Sequence, residues 1–308
     1  MSNKRKKNRI NGWIALDKPL GITSTQAVNR VKAVLNPQKI GHGGTLDPLA
    51  SGVLPIALGE ATKTVAYMME ATKTYRFTLR WGQATETDDA EGAVTETSDR
   101  RPTQGEIEAA LPGFLGVIEQ MPPAYSAIKV NGQRAYDIAR GGGTPELQAR
   151  PVRIDTLELL SIDDDDHASF TCTCGKGFYI RALARDLGAA LGVPAHLAAL
   201  RRTRVGGFGE DDMISLETLE SLGHSAGASE YVLPVETALD DIPALALTDT
   251  EANRLRSGQS VSLLKRSNLE RLRDLENGDV VCAMTGGRAV ALARFESGDI
   301  RPVRVLNL

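Results

Sequence analysis

Gly41-His42-Gly43-Gly44-Thr45-Leu46-Asp47-Pro48-Leu49-Ala50-Ser51-Gly52, followed directly by Val53-Leu54-Pro55-Ile56-Ala57-Leu58-Gly59, is the stretch whose reading decides the fold. Four glycines among small residues suit neither a helix interior nor a good strand. They form a loop whose backbone can come close to another group. Pro48 confines Asp47 to extended or turn conformations and stiffens the segment that displays it. Clusters of Gly, Asp and Pro are also ordinary turn chemistry. What distinguishes this one is its neighbour: an apolar run bounded by glycines that reads as a buried strand. A polar loop set against such a strand is held by a scaffold.

Working outward, Gly12-Trp13-Ile14-Ala15-Leu16 reads as a strand and Asp17-Lys18-Pro19-Leu20-Gly21 as a turn. Thr23-x-x-Gln26 is a capping box opening a helix with Val28, Val31 and Leu35 on one face. Tyr75, Phe77, Leu79 and Trp81 alternate with Arg76, Thr78 and Arg80, which predicts a strand with one apolar side. Thr85 to Gly92 is an acidic turn region, and Pro102 to Leu111 reads as a helix. From Tyr125 to Arg150 the chain is polar, glycine-bearing and basic, the mark of a long mobile insertion. Asp163 to Asp166 reads as a solvated turn between strands. Tyr179 to Leu191 is the clearest helix, with Ile180, Leu183, Leu187 and Leu191 as its buried stripe and Arg181 and Arg185 on another face. Val280 to Phe295 is a hairpin turning at Gly286-Gly287, and Pro302 to Val305 is a last strand.

The 308 residues exceed one average domain. With 42% hydrophobic residues the chain can build a proper core, and its net charge of −3 does not by itself mark a nucleic-acid binder. Such a role needs local patches, and these lie at Lys4-Arg5-Lys6-Lys7, at Arg181 and Arg185, and at Arg201-Arg202-Thr203-Arg204. No apolar run reaches the length of a membrane span, and no signal core follows the basic N-terminus. Three sparse cysteines suit a reducing cytoplasm, and Cys172 and Cys174 share one strand face, as a core pair would. Their spacing completes no metal site, and neither a P-loop nor a dinucleotide fingerprint is present. Any chemistry is expected of side chains alone, without metal or cofactor.

Several motifs together resemble one family. Asp17-Lys18-Pro19-x-Gly21-x-Thr23-Ser24 and the Gly41–Gly52 stretch resemble the N-terminal signatures of the TruB family of tRNA pseudouridine-55 synthases. Lys73-Thr74-Tyr75 and the segment from Pro122 to Gly132 are similar to its next two motifs. Gly177 to Gly188 and Leu200-Arg201-Arg202-Thr203 resemble its late ones. They occur in the family's order and span nearly the whole chain. One departure is Gly43, where the family commonly has Thr or Ala; a looser loop with retained activity is the expectation.

The resemblance implies an α+β fold: a pseudouridine synthase catalytic domain with a mixed sheet flanked by helices, plus a small C-terminal PUA-like β domain. The boundaries expected are a basic disordered tail over 1–9, the catalytic domain over 10–240 with an RNA-gripping insertion at 125–150, and the PUA-like RNA-binding domain over 241–308. It implies a cytoplasmic, monomeric isomerase that converts uridine-55 in the T arm of tRNA to pseudouridine, with a further role in tRNA folding. A stacked uridine must be flipped out first. The resemblance makes Asp47 the catalytic residue, either as a nucleophile or as a base at the ribose C2′; an ordinary carboxylate is already ionised at neutral pH. It makes Arg181 the counter-charge of Asp47, Tyr75 the ring stacked on the flipped base, and His42 the residue filling the gap. Tyr179 and Leu200 become pocket walls. Lys18, Lys129, Arg134, Arg140, Arg201 and Arg202 become RNA contacts. Two other classes compete on the residues alone. A pure RNA binder has no need of a carboxylate facing phosphates. A hydrolase built on His42 and Asp47 lacks a recognisable nucleophile elbow.

Overall fold

The computed structural model describes residues 7–130, 132–223, 226–263 and 275–308. The basic run Lys4-Arg5-Lys6 and most of the expected 1–9 tail lie outside the described residues. In chain order the first elements are β1 (Gly12–Lys18), α1 (Ser24–Leu35), β2 (Ile40–His42), β3 (Ala50–Leu58), α2 (Val65–Glu70) and β4 (Lys73–Trp81). Then come β5 (Gln83–Thr85), β6 (Val94–Thr97), α3 (Gln104–Ala110), β7 (Gly116–Gln120), β8 (Lys129–Val130), β9 (Gln133–Arg134) and α4 (Ala135–Arg140). They are followed by β10 (Arg150–Ile162), β11 (His167–Cys174), α5 (Ile180–Leu191), β12 (Ala195–Val205), β13 (Met213–Ser215) and α6 (Leu216–Leu222). The chain closes with β14 (Ala244–Ala246), α7 (Asp249–Arg256), β15 (Val261–Ser262), β16 (Val280–Thr285), β17 (Arg288–Glu296) and β18 (Asp299–Val305).

The elements gather into two compact units that are not consecutive in sequence. One comprises residues 1–47, 53–69 and 206–308, the other residues 48–52 and 70–205. In the first, β13 pairs in parallel with β1, and β2 pairs antiparallel with β3. Trp13, Ile14 and Leu16 of β1 are buried, and Trp13 packs against Phe208 with ring centroids 5.6 Å apart. The capping box at Thr23 and Gln26 is formed as expected and starts α1. A five-stranded sheet in the order β14-β16-β17-β18-β15 makes up the C-terminal β part. Its hairpin turns at Gly286 and Gly287, both at positive φ (55° and 77°), the conformation a tight two-residue turn requires.

In the second unit, Ala50, Ser51 and Gly52 of β3 pair in parallel with Leu200, Arg201 and Arg202 of β12. The strands β12, β4, β11, β10 and β7 then follow antiparallel, in that order. Period-two alternation delivers Phe77, Leu79 and Trp81 of β4 to the same face as Phe170, Cys172 and Cys174 of β11. Against that face α5 lays Ile180, Leu183 and Leu187, and α3 adds Ile107. Phe77 stacks on Phe170 at 5.4 Å. Parallel and antiparallel pairings together make a mixed sheet flanked by helices, the expected class. The cysteine pair is core, as its spacing suggested; a hydrogen bond from Cys172 and burial both push the Cys174 thiol up.

The insertion differs from a plain loop. Lys129 and Arg134 pair as β8 and β9, and α4 follows. The Ala135 N–H donates to the Ile128 carbonyl (2.7 Å) and that of Tyr136 to the Ser126 carbonyl (3.0 Å), tying the hairpin back to its own start.

Candidate active site

The glycine loop is fixed just before Asp47. Ser24, the first residue of α1, is buried, and its hydroxyl donates to the Leu46 carbonyl (2.9 Å) while accepting from the Leu46 N–H (2.8 Å). One side chain therefore satisfies both backbone groups of the residue before the aspartate, a clamp that pattern reading of the loop does not reveal. Asp47 itself is half-buried, ahead of the Pro48-Leu49 turn that leads into β3. His42 ends β2 opposite Ile56, also half-buried, and the next N–H, of Gly43, donates to Pro55 (2.8 Å). Gly43 is buried, and a Cβ there would lie 2.8 Å from Met68 Cβ. Met68 thus fills the space a side chain at 43 would take, and the glycine does not leave a void at that point.

Lys18 is not a surface cation. It is fully buried, and its Nζ donates to the carbonyls of Pro19 and Ile22, both at 2.8 Å. These bonds tie together the turn that leads into α1, so its expected role as an RNA contact is corrected to a structural one. A buried ammonium is held by its hydrogen bonds and has no face left for a phosphate.

In the second unit, three residues stand abreast on neighbouring strands. Arg202 of β12 is the register partner of Gly52 on β3 and of Tyr75 on β4. Gly52 has φ +97°, and a Cβ there would fall 2.2 Å from the Arg202 carbonyl oxygen. Arg202 is 1% exposed, which corrects its assignment as an RNA contact as well. Its guanidinium donates to the Tyr75 hydroxyl. Burial pushes the Tyr75 phenol up to about 12, with Arg202 pulling the other way, so the ring is neutral at physiological pH. Tyr75 is partly buried and packs at the margin of the core. Lys73, two residues earlier, is buried too, and burial followed by the charge of Arg202 lowers its ammonium to about 8.

The acidic turn between β5 and β6 is more than solvated charge. Asp89 is buried and faces Arg181, itself 7% exposed, at 3.4 Å. Arg181 also donates to the carbonyls of Thr87 (3.3 Å) and Tyr125 (3.0 Å). Asp88 sits at φ +60° and pairs with Arg185 at 3.1 Å; burial raises its carboxyl against the pull of Arg185. The two arginines therefore do not form an open basic patch. A signal was available: two arginines four apart on an otherwise apolar helix call for two carboxylates, and the adjacent pair Asp88-Asp89 supplies them.

Tyr179 caps α5. Its N–H donates to the buried Gln120 side chain (2.9 Å), whose amide donates back to the Tyr179 carbonyl (3.1 Å). Arg150 lies over its ring at 5.3 Å. Leu200 pairs with Ala50 and Phe77 and packs against the core. Arg201 is half-buried beside Ser51 and Arg76. Lys129, Arg134 and Arg140 of the insertion are exposed, and both arginines lie over the Tyr136 ring, at 5.8 and 5.6 Å.

Residues 32–180 match the N-terminal domain of the TruB family pseudouridylate synthases, and residues 181–240 match the tRNA pseudouridylate synthase B C-terminal domain. The chain belongs to the TruB family. It is 55% identical to the tRNA pseudouridine synthase B of Caulobacter vibrioides and 52% identical to that of Rhodospirillum rubrum, with 100% of each chain covered. Among solved structures, a chain of an H/ACA RNP bound to a substrate RNA containing 2′-deoxyuridine matches 96% of this TruB-family chain and 85% of its own length. The TM-score is 0.74 at 26% identity. A chain of a Cbf5-Nop10-Gar1 complex matches with a TM-score of 0.72 at 27% identity, covering 98% of this chain and 90% of the other.

Proposed function

We propose that the protein isomerises uridine-55 in the T loop of tRNA to pseudouridine, and that Asp47 carries the reaction. The bond from N1 to C1′ breaks, the uracil turns, and C5 is joined to C1′ while a proton passes from C5 to N1. Nothing enters or leaves overall. The observation that carries the assignment of Asp47 is the Ser24 clamp on Leu46: the carboxylate follows a residue whose two backbone groups are both fixed. Preorganisation of this kind is what a group acting on a flipped nucleotide needs.

Tyr75 is the stacking ring in this reading. Base–aromatic stacking is worth about 1–3 kcal/mol, which offsets much of the cost of flipping. A phenol held near 12 keeps its proton, which supports a neutral stacking ring over a proton acceptor. His42 fills the gap left by the base, Arg181 is the counter-charge, and Tyr179 and Leu200 line the pocket. Asp89 joins the set by holding Arg181. Lys129, Arg134, Arg140 and Arg201 contact the RNA, with the 125–150 insertion closing on the T arm. Residues 10–240 are the catalytic domain and 241–308 a PUA-like RNA-binding domain. The protein acts as a cytoplasmic monomer, without metal or cofactor, and assists tRNA folding besides.

The test is incubation with unmodified tRNA followed by chemical mapping of pseudouridine. Wild type is expected to modify the T-loop uridine. Asp47→Asn keeps size and shape but loses the charge, and is expected to abolish turnover while tRNA binding persists. Turnover within tenfold of wild type would sink the assignment, since tenfold is only about 1.4 kcal/mol of barrier.

A further inference from the structure

Arg202 is an unusual residue to find where it stands. A guanidinium is costly to bury unless its charge is paired and its donors are bonded, and an apolar side chain of similar volume fills a core at less cost. Yet Arg202 is 1% exposed, with the buried cation Lys73 close enough to feel its charge. What the guanidinium offers that an apolar residue does not is a planar fork of donors that fixes the orientation of whatever it binds. Here the bound group is the hydroxyl of Tyr75.

The register gives that bond its reach. Arg202 is the direct partner of Tyr75 on one side and of Gly52 on the other. On the Gly52 side the contact is backbone to backbone: a Cβ on Gly52 would meet the Arg202 carbonyl oxygen at 2.2 Å, and its carbonyl carbon and amide nitrogen at 3.0 Å. Gly52 follows Asp47 by five positions, with Pro48 between them. One residue therefore touches, with its backbone, the strand that continues the aspartate-bearing loop and, with its side chain, the far end of the aromatic ring. Tyr75 has only two side-chain torsions, and holding its hydroxyl sets both.

We propose that Arg202 is a positioning residue that holds the Tyr75 hydroxyl and so sets the plane of the ring relative to the strand leading from Asp47. The inference rests on the reading of Tyr75 as the ring that stacks on the flipped base. Arg202 touches no substrate; it acts through Tyr75.

A double-mutant cycle tests it on the full-length protein. Arg202→Met, Arg202→Lys and Tyr75→Phe, with the corresponding double variants, are compared by single-turnover pseudouridine formation and by tRNA affinity. Melting curves establish folding for each. Arg202→Met is expected to slow the single-turnover rate tenfold or more while tRNA affinity stays within about threefold. Arg202→Lys, which keeps one donor, falls between. In the Tyr75→Phe background, where there is no hydroxyl to hold, Arg202→Met is expected to add less than twofold. An equal cost in both backgrounds overturns the proposal.

Should the Arg202 variants fail to fold, the Raman difference spectrum between wild type and Tyr75→Phe reads the hydrogen bond directly. A doublet with the high-frequency band stronger, the signature of a hydroxyl that accepts from a strong donor, is expected. A donor-only doublet overturns the proposal. Tyr75→Leu separates this failure from failure of the underlying reading. If Tyr75→Leu costs less than tenfold, Tyr75 is not the stacking ring. If it costs far more while the cycle is additive, only the role of Arg202 falls.

Discussion

Gly52→Ala is the perturbation that most directly probes how the site is held. Two costs add at this position. Gly52 sits at φ +97°, outside the regions open to residues with a Cβ, and strain of that kind costs about 1–3 kcal/mol. The new methyl would also lie 2.2 Å from the carbonyl oxygen of Arg202, a backbone atom that cannot swing aside as a side-chain tip would. Forcing the paired strands apart to relieve that contact is a form of overpacking, worth about 1–3 kcal/mol more. The sum is about 2–6 kcal/mol. Gly21→Ala serves as the control. Gly21 has φ +81° but nothing within 4 Å of the position its Cβ would take, so it bears strain alone. With about 2–4 °C of melting temperature per kcal/mol for a domain of this size, Gly52→Ala should melt at least twice as far below wild type as Gly21→Ala. In single-turnover assays below both transitions, Gly52→Ala should lose rate more than tRNA affinity, because the displaced strand is the one that carries Arg202. Equal melting shifts for the two variants would refute the reasoning, since they would mean that the close approach of β3 to β12 imposes nothing beyond the backbone angle.

Two further outcomes are expected. Removing Lys129, Arg134 and Arg140 together should flatten the salt dependence of tRNA binding by about 2–3 in log–log slope, since each phosphate contact releases nearly one counterion; an unchanged slope would remove these three from the RNA interface. Lys73→Met should raise stability at pH 7 by about 1–3 kcal/mol, measured by urea unfolding. The folded-state ammonium, lowered from 10.5 to about 8, is penalised fully below pH 8, and the penalty fades as pH climbs toward 10.5, where the unfolded chain also loses its proton. The advantage of the variant should therefore shrink across that window. A variant less stable than wild type at pH 7 would contradict it.

Much of the frame was legible because its signals are local. The period-two run in β4, the capping box of α1 and the apolar stripe of α5 each specify their own element within a dozen residues. The loop around Asp47 was legible as a loop, from its glycines and its Pro48. What the sequence hides is long-range. Asp88 and Arg185 meet across 97 positions, and the acidic turn looked solvated because nothing near it in the chain is basic. Lys18 and Arg202 read as RNA contacts because a charge is taken for a surface feature unless its burial is known. The hairpin inside the insertion escaped because its strands, β8 and β9, are two residues each and its composition is polar throughout.

These misreadings fall in one part of the chemistry. Lys18, Lys73, Arg181 and Arg202 are all buried cations, and each belongs to a motif that marks the family. A fold optimised for stability alone has no reason to bury four cations, since apolar residues fill a core more cheaply. Their partners explain their placement better than their charges do. Lys18 holds a turn, Arg202 an aromatic hydroxyl, and Arg181 the acidic turn together with the start of the insertion at Tyr125. Each fixes the position of a segment that carries a functional side chain or leads to one. The expectation that such residues grip RNA and the observation that they grip the protein differ in the ligand, not in the physics: a fork or ammonium of donors orients whatever acceptor it meets. Departures from the rule that charges stay outside gather where geometry matters more than stability. That is why the row Gly52, Arg202 and Tyr75, rather than the exposed arginines, is where small substitutions should act on the rate more than on the binding of tRNA.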